Sequence, residues 1–348
     1  PITPATAILE ELAIHKSLGA KTLQAEDEIA GICTAIGASF AGNLAVTTTS
    51  GPGLSLKSEA MGLAVMAELP LVVVDVQRGG PSTGLPTKTE QSDLNQALYG
   101  RNGECPMAVI AAHSPAHCFD AAFTAAKIAV EHMTPVLLLS EGFLGNGSEP
   151  WRIPAMKDYP EIKPPFVRGI LKEGEKFHPF KRNPDTLVRR WAVPGQKGFE
   201  HRVGGLEKTH EGVLSTDPLN HETMVRERAE KVQRIAVDLP KLQVINGAES
   251  GKLLVVGWGG TYGHILSAVR EIGDTVSYAH FDYILPLPSN TEAVLKSFEK
   301  VLVCELNSGQ FADYLRAKFP HVEILKYNKI QGQPFLVSEL VDAIRKEM

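Results

Sequence analysis

Three carboxylates stand in succession, Glu26, Asp27 and Glu28, at the head of "QAEDEIAGICTAIGASFAGNLAVTTTSGPG", a segment otherwise small and apolar that ends on a Gly-Pro-Gly turn. With a helix beginning near Ala25, Glu26 and Asp27 fall in its first turn, where exposed amides and the helix dipole favour negative charge. Glu28 is different. Helical spacing places it on one face with Ile32, Ala35 and Ser39, a face that must be covered. A carboxylate there is costly unless it meets a partner, which leaves a structural and a functional role both open.

Other residues offer chemistry of their own. Arg78 ends an apolar strand and precedes "GGPSTGLPTK", a Gly/Pro-rich loop carrying Ser82, Thr83 and Lys88. Open α/β sheets bind ligands at strand C-termini, and an arginine offers a planar fork for a carboxylate. A surface salt bridge is the plainer alternative. "TTTSGPGLSL" (47–56) joins a strand end to a helix, and its glycines permit close backbone approach to a flat ring or a phosphate. It lacks the Gly-Lys-Ser/Thr ending of a nucleotide P-loop. "VVGWGGTYGH" (255–264) imitates a dinucleotide-binding turn, but Tyr262 stands where the third glycine would be, so a tight strand-to-helix turn is expected. His113 and His117 are four apart without a third ligand and are read as structural, so no metal site is assigned.

The elements that must position these groups follow from the apolar pattern. "LPLVVVDVQR" (69–78), "MAVIAA" (107–112) and "PVLLLSEG" (135–142) are continuous β-branched runs, as in strands covered on both faces. Between the last two, a helix is expected from Ser114. Residues 143–245 turn rich in Pro, Gly and charge and read as an extended linker or arm, with one charged helix at "NHETMVRERAEKVQRIAVDL". Strands at "KLLVVGWG", "VSYAHFD", "VLVCELN" and "VEILKYN" then alternate with helices at 261–272, 291–300 and 309–319 and a closing helix near Ser338. The fold class is α/β, with two doubly wound domains, the second smaller.

Composition narrows the function classes. The 348 residues are 43% hydrophobic and 22% charged, with a net charge of −5 that gives no footprint for nucleic acid and no apolar run fit for a membrane span. Cys33, Cys105, Cys118 and Cys304 lie in or beside apolar stretches, as suits reduced thiols of a cytoplasmic protein. Without a CxxC, a cluster or structural zinc would need another chain or segment. "PITPAT" opens without Met or a signal-like region and reads as a loop already under way, so residues upstream are expected.

Eight motifs in order, "PITPAT", "QAEDEIA", "TSGPG", "QRGGPSTGLPTKTEQSDL", "NHETM", "PLPSN", "ELNSGQ" and "QGQPF", resemble the alpha subunits of 2-oxoacid:ferredoxin oxidoreductases, nearest the 2-oxoglutarate type. The resemblance spans nearly the whole chain. It departs at the start, where the family's first motif usually follows a Tyr and a strand. It implies a thiamine diphosphate enzyme: residues 1–150 a pyrimidine-binding domain, 151–245 the arm, 246–348 a transketolase-C-terminal-like domain. A beta subunit would hold the diphosphate end, Mg2+ and a 4Fe-4S cluster, in a cytoplasmic heterotetramer that passes electrons to ferredoxin.

The implied reaction is oxidative decarboxylation of 2-oxoglutarate to succinyl-CoA with loss of CO2. The alternatives are pyruvate or a branched-chain or aryl 2-oxo acid, a non-redox thiamine diphosphate transferase, and a nonenzymatic scaffold chain. Ungapped counting from Glu28 to Gly37, Gly42, Gly53, Pro70 and Arg78 reproduces the family pattern. Glu28 would hydrogen-bond the aminopyrimidine ring nitrogen and share a proton with it. Gly51, Pro52 and Gly53 would line the ring's pocket. Thr3 would contact the reacting oxo or carboxylate group, Arg78 the carboxylate that leaves as CO2, and Ser82, Thr83 and Lys88 the second carboxylate of 2-oxoglutarate.

Overall fold

A computed structural model describes residues 1–348. Its first part runs α1 (Thr6–Ile14), α2 (Glu28–Phe40), β1 (Val46–Thr49), α3 (Gly51–Leu56), α4 (Ser58–Ala67), β2 (Leu71–Gln77), α5 (Leu94–Tyr99), β3 (Ala108–Ala111), α6 (His117–His132), β4 (Pro135–Glu141) and α7 (Gly142–Asn146). After an irregular stretch come α8 (Pro218–Arg234), β5 (Val244–Asn246), β6 (Gly251–Trp258), α9 (Tyr262–Ile272), β7 (Ser277–Phe281) and β8 (Tyr283–Leu285). The chain closes with α10 (Thr291–Lys296), β9 (Phe298–Glu305), α11 (Gln310–Lys318), β10 (Ile324–Asn328) and α12 (Val337–Glu347).

Two five-stranded sheets result, in the orders β1-β2-β4-β3-β8 and β10-β9-β6-β7-β5. Each is parallel except for one antiparallel edge strand, β8 in the first and β5 in the second. The continuous apolar run that opens β2 has its reason here. Leu71 and Val73 face one core with Ile32, Leu54 and Met61, while Val72, Val74 and Val76 face another with Ala125, Ile128 and Val232. Helices cover both faces, so Leu71 to Val74 are apolar without alternation, and Asp75 and Gln77 beyond them are polar groups held in the same covered interior.

β8 belongs by sequence to the last third of the chain yet closes the first sheet, pairing Val109 with Leu285 and Ile110 with Tyr283. The junction between the halves is polar as well as apolar. Buried Gln91 donates from Nε2 to the Trp258 carbonyl at 2.7 Å and accepts from Leu306 N–H at 3.0 Å, and Asn307 Nδ2 reaches its carbonyl at 2.8 Å. Gln310 takes Asn95 N–H at 2.7 Å and gives Nε2 to the Ser92 carbonyl at 2.9 Å. "TKTEQSDL" and "ELNSGQ" are thus two halves of one clasp.

The arm corrects an expectation. Read as an extended linker or arm, it buries Phe180, Arg189 and Trp191, the last packed with Val130, Met133 and Val188. It also finishes α4. Arg189 donates to the carbonyls of Glu68 and Ala67 at 3.1 Å each, and Lys208 Nζ to that of Met66 at 3.0 Å. Cations thereby satisfy a helix C-terminus that would otherwise be buried unpaired. Proline and glycine break its periodicity, which hides its buried residues from a pattern reading.

Candidate active site

The first helix turn around Glu28 differs from expectation by three residues. Asp27 has extended backbone (φ −147°, ψ 176°) and its Oδ1 accepts the Ala30 N–H at 2.8 Å, so it caps α2, Glu26 stays outside, and Glu28 is the first helical residue. A side-chain acceptor for an orphan amide sets the start more firmly than favourable charge alone. Ile32, Ala35 and Ser39 are buried as the spacing requires, whereas Glu28 is half-buried.

What Glu28 meets is α3. A Cβ on Gly53 would stand 2.9 Å from Glu28 Cγ, 3.3 Å from its Oε1 and 2.1 Å from Thr49 Oγ1. Only glycine lets α3 lie this close to the glutamate. Ser50 enters α3 in extended conformation, Pro52 occupies the first turn, and Gly51 and Gly53 are buried. One group that pattern reading passed over closes the cluster. Lys57, 2% exposed, sends Nζ to the Glu28 main-chain carbonyl at 2.9 Å. Burial pushes its ammonium below the ordinary lysine range, against the pull of Glu28 and Asp27. Its signal in the sequence is its position, the first charge after an uncharged run from Ile29 to Leu56.

Arg78 is not in a surface ion pair. It is buried just past the C-terminal end of β2, and its Nη1 donates to the Thr3 carbonyl at 2.6 Å while Nε, also buried, has no partner. The structure therefore joins two candidates 75 positions apart. Ser82, Thr83 and Lys88 are exposed on the loop rooted at Arg78, which is pinned by Gly79 N–H to the Lys88 carbonyl at 2.9 Å and Leu85 N–H to the Gly79 carbonyl at 2.8 Å. "QGQPF" packs on this loop: a Cβ on Gly332 would meet Lys88 Cβ at 2.8 Å, and Gly332 N–H donates to Glu90 Oε1 at 3.2 Å.

Two further acids lie close by. A Cβ on Gly51 would meet Asp93 Oδ1 at 2.6 Å, and Asp75 is fully buried in β2. At the C-terminal end of β4, Glu141 is 1% exposed and burial pushes its carboxyl up to about 7. A Cβ on Gly260 would stand 1.8 Å from its Oε1. Of the "VVGWGG" glycines, Gly259 and Gly260 therefore serve contact between domains, against Gln91 and Glu141, while Gly257 is tight against Ile265 and Thr261 within its own domain.

The His113 and His117 pair acquires company that the sequence does not show. Their ligand-type atoms lie within 4.8 Å of those of Asp282. The two rings stack at 3.7 Å, however, with His113 Nδ1 bonded to Asp282 at 2.8 Å and His117 Nδ1 accepting the His113 N–H at 3.2 Å. Both Nδ1 atoms are thus engaged within the chain, and the cluster links the segment after β3 to the residue that follows β7.

Paired parallel-sheet domains, with a carboxylate against a Gly-Pro-Gly wall and an arginine at a neighbouring strand end, define a cofactor-dependent α/β enzyme class. The family model described as "Pyruvate flavodoxin/ferredoxin oxidoreductase, thiamine diP-bdg" matches residues 1–214, and the chain belongs to this thiamine diphosphate-binding family. It is similar to "2-oxoglutarate oxidoreductase subunit KorA" of Mycobacterium tuberculosis, 53% identical over 99% of this chain and 52% of that one. It is also similar to "2-oxoglutarate synthase subunit KorA" of Methanothermobacter thermautotrophicus, 33% identical over 99% and 92%. The 2-oxoglutarate:ferredoxin oxidoreductase of Magnetococcus marinus, solved with 2-oxoglutarate, coenzyme A and succinyl-CoA bound, superposes with TM-score 0.92 at 34% identity, over 100% of this chain and 61% of that one. The transketolase of Leishmania mexicana, at 12% identity and TM-score 0.50 over 92% and 36%, shares the fold alone. The chain spans about half the length of the M. tuberculosis relative.

Proposed function

We propose that this chain is the alpha subunit of a 2-oxoacid:ferredoxin oxidoreductase that converts 2-oxoglutarate and coenzyme A to succinyl-CoA and CO2, passing two electrons to ferredoxin. The observation that carries the reading is Glu28, half-buried against a glycine wall that no larger residue could form. These residues fit the aminopyrimidine of thiamine diphosphate. Glu28 offers a carboxylate to a ring nitrogen, and Gly51, Pro52 and Gly53 offer a flat wall. The cofactor, when bound, supplies carbanion stabilisation at the former oxo carbon.

The chain's own residues do the rest. Glu28 holds a proton in exchange with the ring, and Lys57 fixes the main chain from which Glu28 projects. Arg78, always charged, takes the carboxylate that is lost, with Thr3 set beside it by the shared hydrogen bond. Ser82, Thr83 and Lys88 receive the distal carboxylate on the loop above. In the division of labour we assign, residues 1–150 hold the pyrimidine end, 151–245 form the arm, and 246–348 form the transketolase-C-terminal-like domain.

A beta subunit would complete the cleft with the diphosphate end, Mg2+ and a 4Fe-4S cluster, in a heterotetramer. Support comes from the face around Glu28. No charged residue occurs from Ile29 to Leu56, yet Ile29, Leu44, Val46 and Leu56 are each 43–54% exposed. An apolar face of this kind marks a protein interface. No helix is long and apolar enough to cross a membrane, and all four cysteines are free, which supports the cytoplasm as its place.

The test is reconstitution with the beta subunit and a side-by-side assay of 2-oxo acids for CoA-dependent reduction of ferredoxin. The reading expects 2-oxoglutarate to have the highest kcat/KM. Preference for pyruvate, the acid in the family's description, would transfer the assignment to that substrate. Turnover without any cluster-bearing partner would reject the redox reading.

A further inference from the structure

Two aspartates that this reaction does not call upon lie directly behind the proposed site. Asp75 stands mid-strand in β2, where all seven side chains are buried. Asp93 occupies the N-cap position of α5, from which an aspartate ordinarily turns its carboxylate back onto the first amides of the helix. It makes no such bond. Its oxygens instead point at Gly51, 2.6 and 2.8 Å from where a Cβ would lie, and its main-chain N–H is held by Gln77 Oε1 at 3.3 Å.

In this pose the two carboxyl groups meet side chain to side chain. Neither Asp75 oxygen, nor Asp93 Oδ2, receives a hydrogen bond from any N–H or O–H of the chain. Two carboxylates in contact and out of water cannot both stay ionised, whereas one proton between them turns repulsion into a charge-assisted hydrogen bond. Burial pushes Asp75 well above the ordinary carboxyl range, and Asp93 pushes the same way. Burial brings Asp93 up to about 6, with the hydrogen bond from Asp75 and the charge of Arg78 pulling it down and Glu90 pushing it up. Asp75 is therefore the donor and Asp93 the acceptor. The other groups packed here are neutral: Gly51 from α3, Gln77 from β2, and Gln310, which reaches Ser92 and Asn95 from the second domain.

We propose that Asp75 and Asp93 act as one acid pair, sharing a single proton, that positions Gly51 in the cofactor wall and Arg78 at the substrate end of the cleft. The inference rests on the assignment of those two residues above. Neither aspartate touches the reacting atoms, so both are positioning residues. With the proton in place the pair carries one negative charge, and Arg78 keeps its fork for an anion. Loss of the proton doubles the charge beside Gly51 and draws the guanidinium inward. The KM for the oxo acid must then rise on the alkaline side.

The test uses the assembled enzyme and two readouts. Asp75→Asn keeps an N–H donor facing Asp93 but removes the titrating proton. At pH 7 its kcat and KM stay within about twofold of wild type, and the alkaline rise in KM disappears. Asp75→Ala leaves Asp93 unpaired and raises KM by about tenfold, a loss that Asn rescues. Independently of turnover, the infrared difference spectrum between wild type and Asp75→Asn at pH 7 shows the C=O stretch of a buried protonated carboxyl, with Glu141→Gln as the control for the other buried acid. If Asp75→Asn does not assemble, Asp93→Asn serves: it keeps the Asp75 C=O band and abolishes the alkaline rise. Absence of the band, or superimposable KM profiles for wild type and Asn variant, overturns the proposal. A band together with an enzyme that fails to bind thiamine diphosphate leaves the proton in place but removes its positioning role, along with the site assignment.

Discussion

Glu28 begins α2 and Glu68 ends α4, and the two carboxylates are treated in opposite ways. Glu68 is 1% exposed and accepts from Arg182 Nη2 at 2.5 Å and Lys231 Nζ at 2.7 Å. Burial alone would raise its carboxyl, but the charges and hydrogen bonds of Lys231 and Arg182 bring it down to about 2. Glu28 is half-buried, and the bond it receives from Lys57 goes to its main chain, leaving the carboxylate facing Gly53 at an apolar, uncharged surface. A charge enclosed within the chain is paired within it. A charge left facing an open apolar face is placed for a group that comes from elsewhere.

Breaking the enclosed pair has the largest expected effect on stability. Glu68→Ala leaves Lys231 buried without its acid and Arg182 with Glu227 alone, and costs about 3–5 kcal/mol in urea unfolding at pH 7. Because the native carboxyl lies below its ordinary value, this contribution is present above pH 4.5 and is lost as pH falls toward 2. Glu141 behaves with the opposite sign. Its native carboxyl, near 7, lies above the ordinary value of 4.5, so wild type loses stability as pH rises through that window. Glu141→Gln is therefore stabilised relative to wild type at pH 8 compared with pH 5, by up to about 3 kcal/mol, read from paired unfolding curves. Asp27→Ala removes the cap of the helix that carries Glu28 and costs about 1 kcal/mol. Ile29→Ser, on the open face, changes stability by less than about 0.5 kcal/mol but weakens assembly with the proposed beta subunit, measured by titration of one chain into the other.

The same contrast governs what the sequence reveals. The parallel strands of both sheets are legible because continuous apolar, β-branched runs arise where both faces are covered, whereas the short antiparallel edge strands β5 and β8 carry no such run and are not. The face of α2 is legible because Ile32, Ala35 and Ser39 follow its period. Glu28 stands out as a charge on that face. Contacts formed at a distance are not legible. Nothing local connects Arg78 to Thr3, Asp75 to Asp93, or Gly260 to Glu141, because each pair is brought together by strand order rather than by spacing. The start of α2 is misplaced for a smaller reason, since charge and capping both favour acids there and only the cap geometry distinguishes them. The arm misleads most, as irregular sequence hides a buried ion network whose partners lie in α4 and α8.

The most direct test of the account is Glu28→Ala in the assembled enzyme, followed by CoA-dependent turnover of 2-oxoglutarate and by melting temperature. The account predicts a loss of at least about 100-fold in kcat, roughly 3 kcal/mol of barrier, with melting and assembly unchanged. Near wild-type turnover in the alanine variant would contradict it.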